Sequence, residues 1–276
     1  MSERRRAIVL EDGWAALRRF TPARIALGRA GPALPTAEVL RFGLAHARAR
    51  DAVHAALDAG EVAAVLGAQG HPVRVVRSAA PDRATYLARP DLGRRLEATG
   101  AEALAAPGRG PDALVVVADG LSALAVRRHA APLLRSLAGY GWPWVGAPVV
   151  VALQARVALG DEAGERVGAR LVLVLVGERP GLSSPDSLGA YVTFAPRRGR
   201  TDAERECVSN IRPEGLSYVE AAERVDRIAR EALRTGRTGV ARALPPAVAP
   251  SPIGPPSEGR ADGGDPLAGP AGEAGP

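Results

Sequence analysis

The residues best placed to do chemistry are polar ones that follow abruptly on apolar runs. Glu178 and Arg179 stand in Gly177-Glu178-Arg179-Pro180-Gly181-Leu182-Ser183-Ser184, directly after the run Leu-Val-Leu-Val-Leu-Val at 171–176. A carboxylate there could accept hydrogen bonds from amide or hydroxyl groups of a ligand, and Gly177 and Gly181 would let backbone approach closely. The same spacing also suits a plain Glu/Arg surface pair followed by a Pro-Gly turn. Two other segments have this character. Asp119-Gly120-Leu121-Ser122 follows the apolar run 113–118, and Ala155-Arg156-Val157-Ala158-Leu159-Gly160-Asp161 follows the run 148–153. If the runs are strands of an open parallel sheet, all three segments lie at its ligand-binding end. Cys207, in Arg205-Glu206-Cys207-Val208-Ser209-Asn210-Ile211-Arg212, is the only cysteine. A nucleophilic thiolate wants a base beside it; no such neighbour stands near it in sequence, so it reads as a small packed residue in a segment that could border the same crevice.

Several chemistries are excluded by what is missing. The chain has no lysine, so it has neither a phosphate-binding Walker lysine nor a Schiff-base amine. One cysteine permits no internal disulfide and no multi-cysteine metal site, which fits a reducing compartment. His46 and His54 share a predicted helix but lie two turns, about 12 Å, apart, too far for one metal ion. There is no His-Glu-x-x-His, no Gly-x-Ser-x-Gly, and no Asp-x-His-x-x-Gly of the kind that gives cobalt a histidine in some cobalamin proteins. The net charge is +6, but the arginines are interleaved with Asp and Glu, without aromatic residues beside the clusters Arg4-Arg5-Arg6 and Arg197-Arg198-Gly199-Arg200. That pattern favours a solvated surface over a nucleic-acid groove. No apolar stretch approaches the roughly 20 residues of a membrane span, and the run 7–10 is too short for a signal peptide.

The elements that must position these residues are an α/β set. Residues 1–34 read as an N-terminal arm with a short helix at 13–20 and irregular Gly/Pro-rich chain beyond it. Residues 35–110 read as a helical region. Its clearest helix spans 36–57, with Thr36 as N-cap, an apolar stripe including Val39, Phe42 and Val53, and Gly60 at its end. Residues 111–240 alternate strands and helices: strands at 113–118, 148–153 and 171–176, a weaker one at 191–194, a helix at 123–137 and an amphipathic closing helix at 219–233. This predicts a mostly parallel sheet with flanking helices. Residues 241–276 are Pro, Gly, Ala and Ser-rich and read as a disordered tail.

Five stretches, in one order along the chain, resemble the small (light) subunit of ethanolamine ammonia-lyase, an adenosylcobalamin-dependent enzyme family. They are Arg24-Ile25-Ala26-Leu27-Gly28-Arg29-Ala30-Gly31; Ala80-Pro81-Asp82-Arg83-Ala84-Thr85-Tyr86-Leu87 with Arg89-Pro90-Asp91-Leu92-Gly93; Ala118-Asp119-Gly120-Leu121-Ser122-Ala123; Gly177-Glu178-Arg179-Pro180-Gly181-Leu182; and Cys207-Val208-Ser209-Asn210-Ile211-Arg212. The resemblance covers roughly residues 20–235. It implies a hetero-oligomer that deaminates ethanolamine to acetaldehyde and ammonia, with substrate and reaction centre in the barrel of a separate large subunit. This chain would supply no catalytic residue and would help hold adenosylcobalamin at the interface. The family's cofactor contacts fall on Val157, Glu178 and Cys207, and 111–240 becomes the cobalamin-contacting domain. No histidine of this chain would ligate cobalt. The implied location is cytoplasmic; the short Arg-rich arm and the Pro-rich tail depart from the family pattern and leave encapsulation in a bacterial microcompartment open. The alternatives are a stand-alone small-molecule hydrolase or transferase, which needs an acid–base pair the sequence does not display, and a basic nucleic-acid-binding module.

Overall fold

Three apolar runs set the frame. They form β2 (Ala113–Ala118), β3 (Val149–Leu153) and β4 (Leu171–Gly177), and β2 and β4 are buried at every residue. Such strands carry no polar face because both faces are covered. The structure, a computed structural model, describes residues 8–104 and 110–240; the tail expected over 241–276 lies outside the described residues.

Three more strands complete one sheet: β1 (Val73–Arg77), β5 (Leu188–Phe194) and β6 (Glu206–Ile211), in the order β1-β3-β2-β4-β5-β6. The strands β1, β3, β2 and β4 are parallel. β5 runs antiparallel to β4, and β6 antiparallel to β5. The sheet is therefore mixed where a mostly parallel one was expected. The cause is the connection: residues 178–187 form a loop between β4 and β5, and only a helical crossover could return the chain to run parallel.

On one face lie α2 (Ala59–Ala68), α5 (Ala123–Ala138) and α7 (Tyr218–Thr235), and on the other α4 (Ala98–Leu104) and α6 (Leu159–Val167); the short α3 (Arg83–Ala88) follows β1. Of the stripe expected for the closing helix, Ala222, Val225, Ile228, Ala229 and Leu233, α7 buries the first four and leaves Leu233 half-buried. A reciprocal Ser217–Glu220 capping box starts it and the left-handed Gly236 ends it. α5 begins where Ser122 caps the Ala125 N–H. His129 Nδ1 meets the Tyr218 hydroxyl at 2.8 Å, tying α5 to α7. Its Nε2 stands 3.4 Å from Asp186, which also pairs with Arg128.

Several boundaries differ from expectation. α1 (Thr36–His54) is entered through Pro35 without a side-chain cap, and Gly60 lies inside α2, which Asp58 caps through the Glu61 N–H. The α1 stripe is not a core face: Val39 and Phe42 are exposed and Ala52 alone is buried. The short helix in the arm is a 3-10 turn, Ala15–Phe20. Leu159-Gly160-Asp161 belongs to α6 and not to a loop. Its glycines let that helix lie close on its neighbours: a Cβ at Gly160 would stand 2.3 Å from Val174, and one at Gly164 2.4 Å from Pro196.

Candidate functional site

Beyond α6, the antiparallel half of the sheet leaves one face around Tyr191 and Cys207 that no helix among the described residues covers. Side chains alternate along a strand, so Leu188, Ala190 and Val192 of β5 point into the core under α5 and α7. Tyr191 points the other way and is half-buried. Its partner across the ladder is Cys207 of β6, which is exposed. Glu178 follows the last residue of β4 and its backbone N–H donates to the Ser187 carbonyl at 2.9 Å. Its carboxylate accepts the Ser187 hydroxyl and, at 3.2 Å, the Asn210 backbone N–H, both at Oε2. Oε1 receives no donor among the described residues. Gly189 is what makes room: a Cβ there would lie 2.9 Å from Glu178 Oε1 and 3.2 Å from the Tyr191 ring.

The structure thus brings Glu178 and Cys207 together around Tyr191. Burial pushes the Tyr191 phenol well above its ordinary range, with the Cys207 and Glu178 charges adding to it. Desolvation against the sheet also pushes the Cys207 thiol up; its bond with Tyr191 pulls down and the Glu178 charge pushes up again. Cys207 is accordingly a neutral thiol at pH 7. Tyr191 is the residue the sequence did not reveal. Its signal was a lone large ring among small neighbours in Leu188-Gly189-Ala190-Tyr191, facing a side without a covering helix.

Val157 packs against the same apolar cluster as Tyr191, yet it opens elsewhere. It lines a groove of about 640 Å³ beside α6, whereas Cys207 also borders a second groove, about 400 Å³, against Arg224 and Arg227 of α7. Glu178 lines neither. Glu178 and Cys207 therefore meet at the open face, Val157 lines a separate groove, and the three do not share one cavity.

Of the three expected loops, the first is not a ligand wall. Asp119 turns inward, is buried, and accepts the N–H groups of Gln154 at 2.9 Å and Ala155 at 3.0 Å. Burial raises its pKa, opposed by those hydrogen bonds and by Arg83. Gly120, at φ +56°, presses on Gly177, where a Cβ would stand 2.2 Å from the Gly177 carbonyl. Asp119 and Gly120 thus hold the loops after β3 and β4 in place.

The family model described as "Ethanolamine ammonia-lyase light chain (EutC)" matches residues 11–242. That span takes in every strand and helix named above. The chain belongs to this family. Ethanolamine ammonia-lyase small subunits similar to it include those of Ralstonia nicotianae, 56% identical over 85% of this chain and 89% of that protein, and of Xanthomonas campestris pv. campestris, 58% identical over 83% and 86%. The protein of that name in Azotobacter vinelandii is 55% identical over 85% of this chain and 89% of its own. As a light-chain family member, the chain contains no helix among its described residues long and apolar enough to cross a membrane. Nor do any three His, Cys, Asp or Glu of the described residues gather as metal ligands.

Proposed function

We propose that this chain is the small subunit of an adenosylcobalamin-dependent ethanolamine ammonia-lyase, which converts ethanolamine to acetaldehyde and ammonia, and that its open β5–β6 face covers part of the cofactor where the large subunit docks. The observation that carries this reading is the grouping of Glu178, Tyr191 and Cys207 on a sheet face without a covering helix. The residues fit such a group. Gly189 leaves space beside Glu178 that any Cβ would fill. Glu178 Oε1 is a free acceptor held in place through Oε2, suited to the amide N–H groups around a corrin. Tyr191 offers an apolar ring surface, Val157 an aliphatic one, and Cys207 a small neutral thiol.

When bound, the cofactor supplies the radical chemistry. This chain's part is to bind, orient and exclude water. Ser187 and Asn210 fix the carboxylate before the ligand arrives, so little side-chain freedom is lost on binding. The residues that act on substrate belong to the large subunit.

The test is a cobalamin titration of the co-expressed complex, of the large subunit alone, and of the complex carrying Glu178→Ala. The variant should bind about tenfold more weakly, one charge-assisted hydrogen bond's worth, with its melting temperature nearly unchanged. Equal affinity of the large subunit alone would refute the reading.

A further inference from the structure

The groove beside α6 has an unbalanced charge that the open face does not explain. Arginines 94, 95, 156, 198, 200 and 205 line it against the carboxylates Asp161, Glu162 and Asp202. Those carboxylates are already engaged. Arg205 reaches both oxygens of Asp161 at 2.7 Å and Asp202 at 3.2 Å, and Arg198 pairs with Glu162. Arg200 pairs with Glu204, just outside the groove. Arg94, Arg95 and Arg156 are left without a carboxylate at ion-pair distance among the described residues. Asp91, three residues before Arg94, is taken by Arg89.

These three are also placed by structure. The Arg156 guanidinium lies over the Tyr86 ring, 4.8 Å from its centre, and its Nε is buried with no hydrogen-bond partner. Its backbone N–H donates to the Gly93 carbonyl at 2.8 Å. Gly93 permits this approach, since a Cβ there would stand 2.9 Å from Tyr86 and 3.2 Å from Arg156 Cγ. The turn that follows carries Arg94 and Arg95, and Glu162 anchors it by accepting the Leu96 N–H at 2.9 Å. The segments around Tyr86 and Gly93, which the open face does not use, thus build this wall.

We infer that the groove is a phosphate site, with Arg94, Arg95 and Arg156 donating to the anion. Guanidinium forks match phosphate oxygens in geometry as well as charge. Val157, one of the expected cofactor contacts, lines this groove, so one source is the phosphodiester of the cofactor's nucleotide loop, an assignment that rests on the proposed function. The other source is free phosphate.

The experiment uses the full small subunit in complex with its large subunit, and three probes: cyanocobalamin, cobinamide (the corrin without nucleotide loop or phosphate) and inorganic phosphate. The variants are Arg94→Gln/Arg156→Gln and, should that pair fail to fold by melting temperature, Arg94→Gln/Arg95→Gln at exposed positions. For the nucleotide phosphodiester, the variant should bind cyanocobalamin roughly tenfold or more weakly and cobinamide as before. For free phosphate, both corrinoids should bind unchanged while phosphate binding, read by calorimetry, drops by a similar factor. Affinities for cyanocobalamin and phosphate both within twofold of the parent would overturn the inference. Failure of the parent complex to bind cobinamide would instead count against the open-face reading, leaving the phosphate titration to decide this one.

Discussion

The two halves of the sheet are built from similar strands but are covered differently. β1, β3, β2 and β4 run parallel, and β2 and β4 have helices on both faces and not one exposed residue. β5 and β6 run antiparallel, have helices on one face, and turn Tyr191 and Cys207 outward on the other. The covered half holds the molecule together, because burying each Val or Leu side chain is worth about 1.5–3 kcal/mol. The half-covered part can spare polar and small residues for a ligand because stability does not depend on them. The open face is a sheet surface from which one layer of helices has been left off.

This contrast predicts a gradient of effects. The largest belongs to the covered half: Leu173→Ala, at a fully buried position, should cost about 2–5 kcal/mol in denaturant unfolding. Ser209→Ala on exposed β6 should stay within about 0.5 kcal/mol; comparable losses at both sites would erase the distinction. Next, Gly189→Ala should displace Glu178 and overpack the face, costing about 1–3 kcal/mol. It should weaken cobalamin binding by the complex more than Glu178→Ala does, since it disturbs Tyr191 as well.

A smaller effect lies in the covered half's polar link. Burial lowers the His129 pKa below its ordinary 6.5, with Asp186 pulling the other way. Asp186 is held below the ordinary carboxylate range: burial pushes it up, but the Arg128 hydrogen bond and the His129 charge outweigh that. Both groups bind protons less readily folded than unfolded. Their contribution is therefore complete above the unfolded values and is lost as pH falls, starting below 6.5 for His129. Melting temperature should decline from pH 7 to pH 5, with a shallower decline in His129→Gln; a flat profile in the parent chain would contradict the link. The smallest effect is at Cys207. Although exposed, its thiol should alkylate with iodoacetamide more slowly at pH 8 than a free cysteine, because its pKa is raised. Faster labelling would mean the open face is more polar than its geometry implies.

The same contrast explains what the sequence disclosed. β2, β3 and β4 are legible as unbroken apolar runs because both their faces are buried. β1 reads Val-Arg-Val-Val-Arg and β6 Glu-Cys-Val-Ser-Asn-Ile. Each lies at an edge of the sheet and carries polar side chains, so neither forms a run. α6 was hidden by Gly160 and Gly164, poor helix formers kept for close packing. The reversal at β5 leaves no trace in side-chain pattern; only the short 178–187 link betrays it. Glu178 was visible as an acid at the end of an apolar strand. Its grouping with Tyr191 and Cys207 was not, because that depends on strand order.

The reversal of β5 has a further result. Because the strand doubles back, Phe194 ends beside Leu171, at the foot of the parallel strands, and the Arg198–Arg205 stretch begins there. Val157 sits at their head, one helix length away, about 13 Å for the residues of α6. A single trough touches both ends. An occupant would lie flank-on to the sheet, lengthwise along a helix, and not perched above the strand tips as in an all-parallel fold.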